Sequence, residues 1–365
     1  MTNKLKVLIA VGGTGGHVFP GCNLANHLNE RSLDVQLVTD KRGKKYTEQF
    51  KNFKITVLPS SPFVSKNIFM IFLSSIIIFY SIIRSLLFLV FNRPNIIFGM
   101  GGYASFPICI AASILRIKFI IYENNLVIGK ANKFLLPLAF KILISNKELE
   151  GVSKKYFKKL IEIGNIIKKE IIFFSKEGLD KTDKSNLNIL IMGGSQAARI
   201  FAEILPKIFL ECKKKKINLK IYQHCLPNQI DQLESFYKKN KVNHEIFIFS
   251  KNLINYFSKV NLAITRSGSS TLAELTNANI PFISVPLPTS TENHQLKNAI
   301  FYKKNNLAFL IEEKDLSNKL FDLLKDIYDN KAKLKDIEDN QKRFSDKNVY
   351  NKINEALKDI INEKS

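Results

Sequence analysis

The sequence predicts an α/β protein of two doubly wound, Rossmann-like domains facing a cleft. Three observations predict it. Short apolar runs alternate with amphipathic helical segments along most of the 365 residues, a length that holds one large or two medium domains. The alternation runs twice, and each set opens with an apolar run entering a glycine-rich turn: Leu5–Val11 into GGTGGHVFPG (Gly12–Gly21), and Leu187–Met192 into GGSQAAR (Gly193–Arg199). A polar stretch rich in Lys and Asp, Ser175–Asn186, separates the sets and reads as a linker. Successive βαβ sets of this kind build parallel sheets with helices on both faces. The expected domains are 1–164 and 165–343, with a C-terminal helix in 344–365 packing back on the first.

In the first set, Leu5–Val11 leads through the glycine turn to a helix at Cys22–Glu30, and strand Asp34–Thr39 ends at Asp40. Ile55–Leu58 is a further short strand. After Pro94, Asn95–Phe98 enters a second glycine turn, Gly99–Tyr103, and Lys118–Asn125 and Phe140–Ser145 complete the set. Among these lies Ile68–Phe91, 24 residues with one charge, Arg84. As a helix it is ~36 Å long, enough for a ~30 Å hydrocarbon core. A span would put Leu5–Val11 and Asn95–Phe98 on opposite sides of the membrane, where they could not share a sheet. Ser74, Ser81 and Ser85 form a narrow stripe able to pack closely on the sheet while the large apolar face meets lipid. The favoured expectation is therefore a helix lying on a membrane surface, helped by nearby lysines. A buried core helix and a true span are the alternatives.

In the second set, helix Ile200–Cys212 places Ile204, Leu205, Ile208 and Phe209 on one face. Strand Leu219–Cys225, helix Gln229–Lys239 and strand Glu245–Phe249 follow. Leu262–Thr265 then runs into RSGSSTLAEL (Arg266–Leu275), and Pro281–Val285 precedes a polar loop ending in ENHQ (Glu292–Gln295). Three amphipathic helical segments close the chain.

The net charge of +23 predicts attraction to nucleic acid, an anionic membrane or phosphorylated substrates, against a composition rich in Lys, Ile, Asn and Phe throughout. The basic clusters Lys41–Lys45, Lys154–Lys159 and Lys213–Lys216 lack the patterns of RNA-binding sheets and zinc fingers, so nucleic acid is not an expected partner. Cys22, Cys109, Cys212 and Cys225 show no CxxC spacing and read as reduced thiols. His224 and Cys225 are adjacent, so on a strand they face opposite ways, and no ligand-spaced partner surrounds them; no metal is expected. The first apolar run is short and ends in glycines, which reads as a buried strand rather than a signal peptide.

Strand, glycine turn and helix together aim backbone N–H groups at an anion. Two familiar phosphate fingerprints nearly match the first turn and fail. The dinucleotide pattern GxGxxG, started at Gly13 and Gly15, meets Val18 in place of its third glycine. The P-loop spacing fits from Gly16 to Gly21, but Cys22 and Asn23 follow where Lys and a hydroxyl are needed. Neither NAD nor ATP is supported, and no cofactor is expected.

Read together, GGTGGHVFPG, GMGGY (Gly99–Tyr103), ENN (Glu123–Asn125), GGSQAAR and TRSGSSTLAEL (Thr265–Leu275) with a downstream His294–Gln295 resemble the MurG family, bacterial glycosyltransferases of the GT-B fold that make lipid II. The motifs run in order through residues 5–299. The resemblance implies transfer of N-acetylglucosamine from UDP-GlcNAc to the C4 hydroxyl of the muramoyl sugar in lipid I, undecaprenyl-pyrophosphoryl-MurNAc-pentapeptide. It implies inversion, release of UDP, no metal, and a peripheral place on the cytoplasmic face of the bacterial inner membrane. The sequence shows no DxD pair suited to a cation, so helix N-termini and backbone N–H groups must hold the diphosphate charge.

The resemblance also implies roles. His17 is the general-base candidate, since the positive end of a helix favours the neutral imidazole a base must have; ordering the loop is the alternative. Glu123 is the rival base or positioner, or a strand-end carboxylate satisfied by neighbouring N–H groups. Thr14, Gly15 and Gly16 touch the donor sugar and the acceptor diphosphate, and Asn125 the donor sugar. Glu274 accepts the ribose hydroxyls, although Thr271-x-x-Glu274 also reads as a helix capping box. Ser269, Ser270, Thr271, Leu272 and Ala273 surround the donor diphosphate, as does Ser195. Arg266 lies near the donor phosphates, or forms a surface ion pair. Gln295 meets the GlcNAc hydroxyls, and Ser250 contacts uracil through its backbone. Gly101, Gly102 and Tyr103 border the acceptor.

The chain departs from the family pattern in places. GNIIK (Gly164–Lys168) stands where GNPVR is usual, so Lys168 keeps a charge near the donor but loses the bidentate fork. Asn124 replaces a glutamine, and Ala202 an asparagine. Two other readings share features with this one: a UDP-GlcNAc 2-epimerase, and a membrane-bound nucleotide-sugar sensor without turnover.

Overall fold

The structure, a computed structural model, describes residues 4–48, 50, 52–61, 68–175, 186–248 and 253–362, with all their side chains but those of 68–70 and 194–198. The chain divides into two compact units, Met1–Lys168 with Asn348–Ser365, and Lys169–Lys347.

The first unit runs β1 (Lys6–Ala10), α1 (Gly15–Glu30), β2 (Asp34–Thr39), α2 (Lys41–Thr47), β3 (Lys54–Val57), α3 (Ile68–Phe91), β4 (Ile96–Gly99), α4 (Gly102–Ile114), β5 (Phe119–Glu123), α5 (Lys130–Leu135), β6 (Lys141–Ile144) and β7 (Leu160–Glu162). Its strands pair in parallel in the order β3-β2-β1-β4-β5-β6-β7. The second unit runs α6 (Lys169–Ile172), β8 (Leu187–Met192), α7 (Gly194–Lys214), β9 (Leu219–His224), α8 (Ile230–Lys239), β10 (Asn243–Phe247), α9 (Ile254–Phe257), β11 (Leu262–Thr265), α10 (Ser269–Asn277), β12 (Phe282–Ser284), α11 (His294–Lys304), β13 (Phe309–Leu310), α12 (Leu316–Asp329) and α13 (Ala332–Arg343). Its sheet is also parallel, in the order β10-β9-β8-β11-β12-β13. The central strands read as continuous apolar runs, not alternations, because helices cover both faces; β8 is buried at every position.

Helix α14 (Val349–Asn362) returns to the first unit. There Tyr350 packs at a tilt against His27 with centroids 4.5 Å apart and its hydroxyl donates to the Ile167 carbonyl at 2.6 Å, while Asn354 bonds the His27 ring at 2.8 Å.

Several details depart from the sequence expectation. Helix α1 begins at Gly15, not Cys22, with extended Thr14 as its N-cap, so His17 stands in its first turn. The basic run Lys41–Lys45 belongs to a helix, α2, capped by the Asp40 carboxylate on the Gly43 N–H at 2.7 Å. The serine stripe of α3 packs on α4 rather than on the sheet: Ser81 and Ser85 are buried there, and each hydroxyl bonds the carbonyl four residues back. Small side chains allow that close approach, and they leave Phe72, Phe79, Tyr80, Leu87, Val90 and Phe91 exposed. Most of the linker expected at Ser175–Asn186 lies outside the described residues. All four cysteines are free and buried, and burial raises the Cys22 and Cys212 thiols to about 12.

Candidate active site

In each sheet the strand order reverses once, between β1 and β4 and between β8 and β11. Connections leave in opposite directions at such a point and open a crevice at the carboxyl ends of the strands. All the glycine turns singled out in the sequence follow these four strands.

At the first switch point, Gly13 adopts φ +78°, which only glycine takes without strain, and turns the chain from β1 into α1. The turn carries no side-chain cap, so the first N–H groups of α1 face outward, and Thr14 and Gly16 are exposed. His17 lies one turn in, half-buried. Its Nδ1 donates to the Met100 carbonyl at 3.1 Å, since a carbonyl can only accept. In the neutral ring this places the lone pair on Nε2.

The second glycine turn holds the other side of the imidazole. Gly101 and Gly102 have φ of +87° and +72°, and a Cβ at Gly101 would stand 2.9 Å from His17 Nδ1. At Gly102 it would stand 3.2 Å from Cδ2. Both glycines are thus needed twice, for backbone conformation and for room beside the ring. Tyr103 follows, half-buried in the first turn of α4.

Proline shapes the first turn as well. Pro20 has no N–H, so the Gly16 carbonyl lacks its usual helical donor. Asn124 supplies one from Nδ2 at 3.1 Å, so the shorter side chain at this position still reaches the turn.

Glu123 departs from the expectation of a base. It is 1% exposed, and both oxygens are occupied. One accepts from the Asn125 N–H and Nδ2, both at 3.1 Å; the other from the Gly129 N–H and Asn132 Nδ2, both at 2.9 Å. A carboxylate so enclosed orders the 125–132 loop and cannot reach an acceptor hydroxyl. Asn125 is brought to the same edge through this bond.

Asp40, 3% exposed at the end of β2, braces the turn from its other flank. Its Oδ1 accepts from the Gly13 N–H at 3.1 Å, and its Oδ2 from the Ser60 hydroxyl at 3.0 Å and from Arg42 Nε and Nη2 at 3.3 Å. Burial alone would raise this carboxyl. The Gly13 and Gly43 N–H groups, Ser60 and the Arg42 charge outweigh it and hold the group below its ordinary value.

At the second unit's switch point the helix following β11 begins at Ser269 with Gly268 as N-cap. That decides the reading of Thr271-x-x-Glu274. Thr271 stands at the third helical position, so the pair is not a capping box. Ser269, Ser270 and Thr271 occupy the first turn, where N–H groups have no intrahelical acceptor. A Cβ at Gly268 would meet nothing within 4 Å, so no intrachain packing demands glycine there. Leu272 and Ala273 are buried and anchor the helix.

Arg266 is a second correction. The residue is 7% exposed, and its guanidinium donates to the Val285 and Pro286 carbonyls at 3.3 Å, pairs with Glu313 and lies over the Phe201 ring at 5.1 Å. It is neither a phosphate ligand nor a surface pair; it ties β11 to β12 and the chain beyond β13. Gln295 Oε1 accepts from the Ser267 N–H at 3.2 Å and the Leu287 N–H at 3.0 Å, which leaves its Nε2 as the donor end. Ser195 lies in the first turn of α7 with its side chain outside the description, and Ser250 lies outside the described residues. Lys168 ends the segment that Tyr122 holds through the Gly164 carbonyl and the Ile166 N–H. Among the described residues no three or more His, Cys, Asp or Glu side chains cluster to hold a metal.

Residues 7–144 match the glycosyltransferase family 28 N-terminal domain, and residues 188–353 the family 28 C-terminal domain. A UDP-N-acetylglucosamine–N-acetylmuramyl-(pentapeptide) pyrophosphoryl-undecaprenol N-acetylglucosamine transferase of Pelagibacter ubique is 34% identical over 98% of this chain and 99% of its own. The chain belongs to the MurG family of glycosyltransferases. A relative of the same name from Rickettsia felis is 34% identical over 92% of this chain and 94% of its own. Among solved structures, Acinetobacter baumannii MurG superposes with a TM-score of 0.78 at 21% identity, covering 99% of this chain and 100% of that one. A UDP-N-acetylglucosamine 2-epimerase shares the fold at 0.67 and 14% identity, covering 99% and 98%.

Within this family member, sequence reasoning missed Asp40, Arg42 and Asn132. An aspartate closing a strand beside a glycine turn was a usable signal for Asp40. Asn132 has no local pattern; only the fold brings it to Glu123.

Proposed function

We propose that the two switch-point turns divide the family's reaction between them. The chain is an N-acetylglucosaminyltransferase that passes GlcNAc from UDP-GlcNAc to the muramoyl sugar of lipid I. The first turn receives the acceptor and the second unit holds the nucleotide. His17 Nε2 takes the proton of the C4 hydroxyl as its oxygen attacks the anomeric carbon of GlcNAc. The bond from that carbon to the diphosphate breaks, and UDP leaves with its electrons. One displacement inverts the centre. The single observation that carries the base assignment is the Nδ1 bond to the Met100 carbonyl, which orients the ring and puts the lone pair on the other nitrogen.

On the second unit, the first turn of α10 with Ser269, Ser270 and Thr271, and Ser195 on α7, hold the diphosphate; Glu274 accepts the ribose hydroxyls. Gln295 Nε2 and Asn125 address the donor sugar, Thr14, Gly15 and Gly16 line its path, and Lys168 adds charge. Gly101, Gly102 and Tyr103 border the acceptor. Glu123 acts through the loop it orders.

Helix α3 lies on an anionic membrane at the cytoplasmic face. By length and composition it could cross a bilayer. It connects β3 to β4 within one sheet, however, and it carries exposed large apolar side chains, among them Phe72, Phe79, Tyr80, Leu87, Val90 and Phe91. The cluster Lys154–Lys159 adds attraction, except that Lys159 caps carbonyls at the end of α5, at 2.6 Å for Ala139. Lys213 likewise bonds the Asn240 carbonyl at 2.8 Å.

The decisive assay follows UDP release. It must require UDP-GlcNAc and a lipid I analogue together. Conversion of UDP-GlcNAc without acceptor would instead support the epimerase reading, which the 34% identity to transferases disfavours.

A further inference from the structure

The basic cluster Lys41–Lys45 has one member with a place at the site. Arg42 leaves α2 on the same side as the first glycine turn, and a Cβ at Gly13 would lie 3.9 Å from its Nη2. Its Nε and Nη2 both bond Asp40 Oδ2, yet the side chain is 51% exposed. The guanidinium is therefore held in one orientation on one edge while its remaining N–H groups face out beside the turn. The aspartate that holds it is the same one that fixes Gly13, so the cation and the turn share one anchor.

The turn itself has little charge to offer an anion. The Gly13 N–H is spent on Asp40, and no lysine follows the glycines. Only the first N–H groups of α1 remain. A substrate with a diphosphate needs more, and a planar guanidinium is suited to bridging phosphate oxygens.

We infer that Arg42 binds the diphosphate of the lipid acceptor at the first glycine turn, and that Asp40 is the positioning residue that aims it. This rests on the reading that the first turn receives the acceptor. Lysine at the same place would keep the charge without the fork, and so would restore only part of the binding.

The test measures steady-state kinetics of the full chain with UDP-GlcNAc and a short-chain, water-soluble MurNAc-pentapeptide diphosphate acceptor. Arg42→Ala is expected to raise the acceptor KM about 10- to 100-fold, the scale of a charge-assisted bond, with the donor KM and kcat within twofold of the parent. Arg42→Lys should fall between. Ser60→Ala, which loosens Asp40 Oδ2 without removing a charge, should raise the acceptor KM modestly in the parent and not at all in the Arg42→Ala background. The Arg42→Ala effect should shrink as salt rises. Unchanged KM values for both substrates would overturn the proposal alone, leaving the turn's role intact. A rise in the donor KM instead would overturn both the proposal and the assignment of the first turn to the acceptor.

Discussion

The His17 ring and the Met100 carbonyl meet at 3.1 Å although they stand 83 residues apart in the chain. The pairing exists because β1 and β4 are neighbours in the sheet, which brings their two glycine turns side by side. It holds the ring of a histidine in the first turn of α1 in one orientation.

His17→Ala should lower turnover by about 10²- to 10⁴-fold, the usual worth of a positioned base. UDP-GlcNAc binding, followed by calorimetry, should stay within twofold. Full turnover in a folded variant would show that the proton goes elsewhere.

Gly101→Ala tests the other side of the ring. At φ +87° and ψ 179° the Gly101 backbone lies in a region essentially reserved for glycine, which costs an alanine roughly 1–3 kcal/mol, and its Cβ would press on Nδ1. The expected result is a drop in kcat larger than the loss of thermal stability accounts for. Melting curves alongside kinetics separate the two, and equal losses would make the glycine a folding requirement only.

Glu274 and Arg266 in the second unit predict opposite phenotypes. Glu274→Gln should raise the donor KM about 10- to 100-fold with little change in melting, because Glu274 stands beyond the third helical position of α10, outside a capping box. Arg266→Met should do the reverse. It leaves Glu313 without its partner, a loss approaching the ~3–5 kcal/mol of broken buried pairs, while donor affinity in the surviving folded fraction holds. Chemical denaturation and donor titration of both variants check the contrast.

Acid should weaken the first unit through Asp40. Its carboxyl is held below the ordinary value when folded, so its contribution is complete above the unfolded carboxylate pKa of about 3.9. It is lost as pH falls through the folded value. Asp40→Asn should therefore cost about 1–3 kcal/mol near neutrality, and the gap to the parent should close in acid below about pH 4. A gap independent of pH would mean that shape, not charge, is what Asp40 contributes.

Flotation with anionic vesicles checks the membrane assignment. Phe72→Glu with Phe79→Glu should abolish capture without altering melting, since both rings are already more than 60% exposed, at 65% and 66%. Capture should weaken with added salt. Undiminished flotation of the double variant would remove α3 from the contact.

The fold was largely legible because parallel strands buried on both faces are short apolar runs, and glycine turns mark where they end. Leu187–Met192 and Leu262–Thr265 appear at the bounds read from sequence. What misled was local ambiguity in chain chemistry. Glycines and a proline at 12–21 hide the start of α1, which begins at Gly15 because Thr14 can cap it by backbone alone. The roles of Glu123 and Arg266 depend on burial by distant segments, on Asn132 in one case and Glu313 in the other. Nothing in the neighbouring sequence announces either partner. Conversely, the capping-box alternative for Thr271-x-x-Glu274 is set aside only by the position of Gly268.

Helix α14 gives the chain an order of assembly. Lys169–Lys347 is inserted within the first unit, whose His27 and Ile167 wait for Asn354 and Tyr350. On a translating ribosome Lys169–Lys347 has all its described strands and helices before the first unit has its last helix. The unit that carries α3 is therefore the last to be completed, and the exposed apolar side chains of that helix emerge from synthesis long before the fold beneath them is closed.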